Sequence, residues 1–456
     1  MRITTLSVKN LRLFGDEEQK IVFNNDKNVT VLLGDNGAGK TSLLYASTVL
    51  LSQFYEHFPE CPKKQFVIED VRNISNERRA NYLHVSMELT PSSPDKTEYM
   101  EFDLTKGKEA VEVDMYLKGN DTKNTPSSQL KAIKDYSLKI KTRIDDGLDV
   151  ALPIIAYYGT ERGQIKPVER RRNFKDVFSR WDIYKADSLD SATDFRRFFT
   201  WFERNEDLER REQKKQKNFD YTSPVLNAVR RALNKLFEGH LENPRVEASP
   251  LRFVMDDVSE RENPIEKRLE RMSDGYRITI ALVADIASRM AESNPTEECS
   301  GLNDPLNANG IVLIDEIDLH LHPKLQREIL RKLTTIFPNV QFIVSTHSPN
   351  VVIGALDLVQ IIKLDNGKIN RDINTDKYKN DDISLLLLSD LFSLDNVRTP
   401  DYLTLSNEYE KLLSTPVLNN EQRKRIDELG EMLDLFTSLD VDMLKNTLSK
   451  IQGCHD

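Results

Sequence analysis

The chain has 456 residues, of which 39% are hydrophobic, 30% charged and 8% aromatic, the balance of a soluble globular protein of roughly three domain equivalents. No apolar run approaches the roughly 20 residues of a membrane helix, and the N-terminal MRITTLSVKN alternates like a strand rather than a signal peptide, so a cytoplasmic protein without a membrane partner is expected. Three widely spaced cysteines (Cys61, Cys299, Cys454) make neither a disulfide framework nor a zinc site, and a formal charge of −10, from 64 basic and 74 acidic residues, excludes a general polyanion binder but not a local basic patch.

Period-2 patterns dominate the first part. Residues 2–14, 81–89, 98–105 and 110–117 place every second side chain on an apolar face, which predicts half-buried antiparallel strands. Val29 to Leu33 is nearly continuous in apolar residues and predicts a buried central strand. A polar loop is expected over 119–129 and a further strand over Pro153 to Tyr158. From about 163 the pattern turns helical, with aromatic anchors at Phe174, Phe178, Trp181, Phe195, Phe198, Phe199, Trp201 and Phe202. Arg162 to Lys217 holds 16 basic and 11 acidic residues, a local +5 against the global sign, and the charged run Glu203 to Lys217 reads as a projecting helix. Strand, helix and strand then return at Ile311–Ile314, Pro323–Phe337 and Asn339–Ser345, followed by a hairpin over Leu358–Ile369 with its turn at Asp365 to Lys368. Four helices are expected beyond residue 375, where 16 acidic residues face 9 basic ones.

Three segments carry chemistry. Gly34-Asp35-Asn36-Gly37-Ala38-Gly39-Lys40-Thr41 satisfies G-x-x-x-x-G-K-[ST], with an apolar strand before it and an amphipathic helix after it. Its glycines let backbone N–H groups of Asn36, Gly37, Ala38, Gly39, Lys40, Thr41 and Ser42 converge on phosphates, Lys40 adds a point charge, and the Thr41 hydroxyl can ligate Mg²⁺. Ile311-Val-Leu-Ile-Asp315-Glu316 runs four aliphatic residues into two acids, which suits Asp315 as a Mg²⁺ holder and Glu316 as general base for an attacking water. Ser345-Thr346-His347-Ser348-Pro349 ends the next apolar strand, where His347 can reach a γ-phosphate. A fourth segment, Arg271-Met272-Ser273-Asp274-Gly275-Tyr276, opens an apolar helix with Ser273 at the N-cap and is in itself a common capping pattern.

In this order the segments resemble the ATP-binding cassette (ABC) ATPases of the SMC, RecF and OLD-like branch, over residues 1 to about 370. MSDGY stands where that family has LSGGQ, lacking its second Gly and its Gln, and Asn10-Leu11-Arg12-Leu13-Phe14 resembles the branch's opening motif. The resemblance implies an α/β ABC ATPase head with an antiparallel β lobe, ATP and Mg²⁺ as ligands, and Arg12 near the nucleotide. It also implies a dimer sandwiching ATP, in which Ser273 and Gly275 complete the partner's site. Gln164 is the candidate for the family's Q-loop residue. Asp318-Leu-His320-Leu-His322-Pro323 resembles the interface loop of OLD-like ATPases; His320 and His322 also allow a zinc reading, without a third ligand nearby. The expected organisation is 1–162 and 261–374 as the two parts of the head, 163–260 as a helical insertion, and 375–456 as a helical partner-binding tail.

The aromatic insertion and the tail segments Asp390–Phe392, Thr399–Pro400 and Leu403–Leu413 resemble the ATPases of bacterial anti-phage systems, most of all the Septu ATPase PtuA, also found in some retrons. That likeness implies a separate HNH nuclease partner, PtuB. Alternatives are a RecF-like repair clamp binding DNA through the cluster Lys166, Arg170, Arg171, Arg172 and Lys175, and the AriA sensor of PARIS systems holding a Toprim effector. A transporter ATPase fits least. Asp440-Val-Asp442 sits in a helical tail and is set aside as a Toprim motif, so no nuclease site is expected in this chain.

Overall fold

The computed structural model describes residues 1–75, 78–91, 111–118, 130–163, 179–185, 188–190, 196–248, 251–259, 263–296, 300–370, 373–379, 381–394, 400–414, 421–430 and 432–433. It divides into two units, Met1–Ile383 and Ser384–Asp456.

In the first unit the N-terminal elements are β1 (Arg2–Lys9), β2 (Gln19–Val22), β3 (Val29–Leu33) and α1 (Lys40–Leu51), then the short β4 (Asn73–Ser75) and β5 (Arg78–Arg79). Next come β6 (Tyr82–Thr90), β7 (Val111–Lys118), α2 (Lys131–Asp145) and β8 (Ile154–Tyr158). The middle holds α3 (Arg196–Gln216), α4 (Pro224–Leu236), β9 (Leu241–Ala248), β10 (Leu251–Asp257), β11 (Ile265–Arg268) and α5 (Asp274–Ser293). Then follow β12 (Gly310–Ile314), α6 (Pro323–Ile336), β13 (Val340–Thr346), α7 (Pro349–Ile353), β14 (Val359–Asp365) and β15 (Lys368–Asn370).

The central sheet has the order β15-β14-β3-β13-β12-β8, parallel except for the β14–β15 hairpin. Strands β3, β8, β12 and β13 are buried throughout, as their largely apolar runs require in a sheet covered on both faces. The antiparallel lobe is β2-β1-β6-β7, and along β6 burial alternates residue by residue. Its apolar side shares one core with α1, the 3-10 turn that follows it (Ser52–His57) and α2 through Ile3, Leu6, Val8, Leu50, Phe54 and Ile133.

Two expectations change here. The strand read over 2–14 ends at Lys9, because Asn10 (φ 55°) and Arg12 (φ 48°) turn left-handed and fold Phe14 back into the core. The segment 163–260, read as helical, ends in strands: β9 and β10 join β11 in an antiparallel sheet. Phe253 on β10 plugs the aromatic cluster of α3, with its ring 5.4–5.7 Å from Phe198, Phe199 and Phe202, so tertiary burial selects strand. The strand expected over 98–105, the loop over 119–129, the cluster 166–175, Gln164 and the Asp440/Asp442 pair lie outside the described residues.

The second unit contains most of α8 (Ile383–Leu388), all of α9 (Pro400–Leu413) and a helical segment over 421–430. Arg425 clamps Glu408 with two hydrogen bonds of 2.9 and 3.1 Å, tying that segment to α9. Among the described residues no helix is long and apolar enough to cross a membrane.

Candidate nucleotide site

The phosphate loop is a local consequence of its sequence. Strand β3 ends at Leu33, α1 begins at Lys40, and six residues connect them at the carboxyl edge of the sheet. Gly39 is the N-cap of α1 at φ 110°, and a Cβ there would lie 2.8 Å from the Phe14 ring, so both backbone and space demand glycine. The N–H groups of the first turn of α1 are thereby left facing the loop. Lys40 is buried and its ammonium donates to the carbonyls of Gly34 (2.6 Å) and Asp35 (2.9 Å). Burial lowers its pKa, against the opposing pull of Asp315, Glu316, Asp35 and Asp318.

Sheet order supplies the rest. Strand β13 lies between β3 and β12, so the ends of all three strands meet. The Thr41 hydroxyl donates to Asp315 Oδ2 at 2.7 Å, across 274 positions of sequence. Ser345, the penultimate residue of β13, donates its hydroxyl to Asp315 Oδ1 and accepts the Glu316 N–H at 2.7 Å. Thr346 donates to Asp318, whose other oxygen stands 3.5 Å from His347 Nε2. Lys40, Thr41, Asp315, Glu316 and His347 are thus brought to one edge. A hydroxyl and a carboxylate oxygen converging there form a hard-oxygen pair of the kind Mg²⁺ accepts alongside phosphates and water.

Ser273 and Gly275 stand at another place. Ser273 is the exposed N-cap of α5, and Gly275 packs against the loop after the carboxylates: a Cβ on it would lie 2.7 Å from the His320 carbonyl oxygen. Arg12 is held by Asp70, with Nε and Nη2 at 3.1 and 3.0 Å from Oδ1, and lies 4.4 Å over the Tyr45 ring. The Tyr45 hydroxyl donates to the other Asp70 oxygen (3.1 Å), and its own pKa is pushed up to about 12 by burial and then by Asp70. His322 caps α6, its Nδ1 accepting from the Lys324 N–H at 3.3 Å. Among the described residues no group of three His, Cys, Asp or Glu side chains is placed to hold a metal.

A family model described as an AAA domain matches residues 5–239. The chain belongs to the AAA-domain family. A second AAA-domain model, named for the AbiEii toxin of type IV toxin–antitoxin systems, matches residues 160–353. This AAA chain is 26% identical to the "Retron Ec83 probable ATPase" of Escherichia coli, over 93% of its own length and 82% of the relative's. It is 36% identical to the Septu protein PtuA of Bacillus mycoides (strain KBAB4), over 37% of its own length and 23% of that protein's. Among solved structures an SMC head bound to a winged-helix domain of ScpA superposes with a TM-score of 0.47 at 14% identity, covering 81% of this chain and 98% of the other. The resemblance read from the motifs, to an ATPase of anti-phage type, agrees with the retron and Septu relatives.

Motif reading passed over two residues of this AAA domain's edge. Ser345 lay inside a quoted motif but received no role, although a hydroxyl at a strand end beside two acids is a natural tether. Arg162 counted only as charge, yet it is 1% exposed and donates to the carbonyls of Gly159 (2.8 Å), Asp315 (2.5 Å) and Glu316 (2.6 Å). Burial lowers its pKa to about 10, and Asp315, Asp318 and Glu316 oppose the fall, so it stays protonated at neutral pH. Its place just beyond β8, at the carboxyl edge where ligands of parallel sheets bind, was the available signal.

Proposed function

We propose that this protein binds and hydrolyses ATP in a bacterial anti-phage defence system and controls a separate effector nuclease according to its nucleotide state. The observation that carries the reading is the Thr41–Asp315 hydrogen bond, which joins phosphate loop and carboxylate strand at one point. In this reading the N–H groups of residues 36–42 and the Lys40 ammonium hold the phosphates, while Arg12 lies beside the nucleotide. Thr41 and Asp315 hold Mg²⁺, which neutralises phosphate charge. Glu316 takes the proton of the attacking water, and His347, oriented by Asp318, faces the terminal phosphate. Ser273, exposed at the start of α5, and Gly275 serve the site of a second copy, so the active form is a homodimer or larger assembly. The retron and Septu relatives support an effector partner; in this reading it is of the HNH type, the PtuB kind, docked on the acidic C-terminal helices. The chain works in the cytoplasm and leaves cutting to its partner.

Lys40→Ala is expected to abolish ATP binding, measured with a fluorescent nucleotide. Glu316→Gln is expected to retain ATP and strengthen self-association while turnover collapses; retained nucleotide affinity in the first variant or normal turnover in the second refutes the site. Purification with the neighbouring operon products then identifies the effector: a small HNH protein supports the reading, and a Toprim protein replaces it by the PARIS type. A second reading, a clamp acting on DNA directly, draws on the exposed Arg211, Lys214, Lys215 and Lys217 at the end of α3. It requires DNA affinity that falls steeply with salt and with charge reversal of these residues.

A further inference from the structure

The carboxylate of Glu316 has an unusual standing among the three acids of the edge. Asp315 is tethered by Thr41 and Ser345, and Asp318 by Thr346 and His347. Among the described residues the Glu316 carboxylate makes no hydrogen bond or ion pair, which suits a group that must accept a proton. With no polar tether on the side chain, the point from which the carboxylate projects is set by its main chain. That main chain is itself in an unfavourable state: Glu316 sits at φ 48°, in the left-handed region that a residue with a Cβ avoids. Such a conformation persists only where its surroundings over-determine it.

Three groups hold it. The Glu316 N–H is fixed on Ser345 Oγ at 2.7 Å. Its carbonyl accepts from the Leu319 N–H of the following turn at 2.9 Å and from Arg162, whose Nη2 donates to it at 2.6 Å while Nη1 donates to the preceding carbonyl of Asp315 at 2.5 Å. The same Nη1 reaches the Gly159 carbonyl at 2.8 Å, so the guanidinium locks the turn after β8 to the turn after β12. These strands are themselves in register, with Ile314 opposite Tyr158, and the Asp315 N–H donates to the Tyr158 carbonyl at 2.9 Å. Only a planar fork can reach two consecutive carbonyls in this way; an ammonium is a single point that serves one of them well. The placement is also costly, since the side chain is 1% exposed and its Nε has no partner among the described residues. A buried cation with an unsatisfied N–H points to a task beyond filling space.

We propose that Arg162 is a positioning residue for Glu316: by clamping the carbonyls of Asp315 and Glu316 it holds the strained peptide that aims the Glu316 carboxylate at the water attacking ATP. The inference rests on the reading of Glu316 as general base. Arg162 touches neither nucleotide nor water; it acts through the backbone of its neighbour, and its removal lets the peptide relax toward an ordinary φ and swings the carboxylate off line.

The test uses the full-length chain and separates binding from turnover. Arg162→Met and Arg162→Lys are compared with wild type for affinity toward a fluorescent ATP analogue, for kcat at saturating ATP, and for single-turnover hydrolysis in the Glu316→Gln background. The expected result is a loss of about 10–100-fold in kcat for Arg162→Met, the scale of a misplaced catalytic group, with nucleotide affinity within about threefold of wild type. Arg162→Lys, which keeps the charge but not the fork, is expected to fall in kcat as well and to retain affinity. In the Glu316→Gln background neither substitution is expected to lower hydrolysis further, because the group being aimed is already gone. Wild-type turnover in either variant overturns the inference, as does a parallel loss of affinity and turnover in Arg162→Lys, which would mark a merely structural residue. Should Arg162→Met fail to fold, the Lys variant decides by the same criteria. Normal turnover in Glu316→Gln alone instead removes the base assignment, a separate failure.

Discussion

Asp285→Ala tests whether α5 is held in place by a buried charge network in its second half. Asp285 and Arg289, one turn apart on α5, are each 1% exposed. The Asp285 carboxylate accepts from Arg289 Nε and from the Tyr158 hydroxyl, both at 2.8 Å, with Arg197 of α3 at 3.8 Å. The helix is thereby pinned to β8 and to α3. Burial alone would raise the pKa of Asp285, but Arg289, Arg197 and the two hydrogen bonds outweigh it and bring the value below the ordinary 3.8. Removing one member of a buried ion pair costs about 3–5 kcal/mol, because the other charge stays desolvated without its counterion. With an unfolding entropy of about 2.1 cal/mol/K per residue, the 383-residue unit loses about 0.8 kcal/mol per degree near its midpoint, so a fall of about 4–6 °C is expected. Scanning calorimetry measures it. Replacing both partners, as in Asp285→Leu with Arg289→Met, is expected to recover part of the loss, since no charge is then stranded. The pH dependence has a definite sign: a depressed folded pKa means that the contribution is present above the ordinary aspartate range and is lost as pH falls through the folded value. Glu292, on the same helix, runs the other way, because burial outweighs its pairing with Arg197 and raises its pKa, so its charged form opposes folding near neutral pH. A midpoint within 1 °C of wild type for Asp285→Ala, or a loss that grows as pH falls below the ordinary aspartate range, refutes the network.

Two further outcomes are expected of the glycines at the edges of the site. Gly39→Ala places a Cβ at φ 110° and 2.8 Å from the Phe14 ring, a strain of about 1–3 kcal/mol that should open the loop and weaken nucleotide binding; unchanged affinity in a fluorescence titration refutes it. Gly275→Ala pushes the start of α5 off the His320 carbonyl, at about 1–3 kcal/mol, and should impair ATP-dependent self-association in sedimentation velocity while nucleotide binding by the single chain persists.

What the sequence determined by itself is local. The phosphate loop was legible because its conformation depends on eight consecutive residues and on the strand and helix beside them. The ends of β12 and β13 were legible because four or five aliphatic residues running into polar ones mark a buried strand reaching its edge. The β14–β15 hairpin was legible from Asn366 and Gly367, both at positive φ. Tertiary structure decided everything that depends on which strand lies beside which. Thr41 reaches Asp315 only because β13 is inserted between β3 and β12, an order that no single segment encodes. The segment 241–257 became a sheet because Phe253 found the rings of α3, a contact between residues some fifty positions apart that outweighs local preference. Arg162 looked like one more charge in a basic stretch; only the fold removes it from water and sets it on the carbonyls of Asp315 and Glu316, because burial and strand register are properties of the assembled sheet.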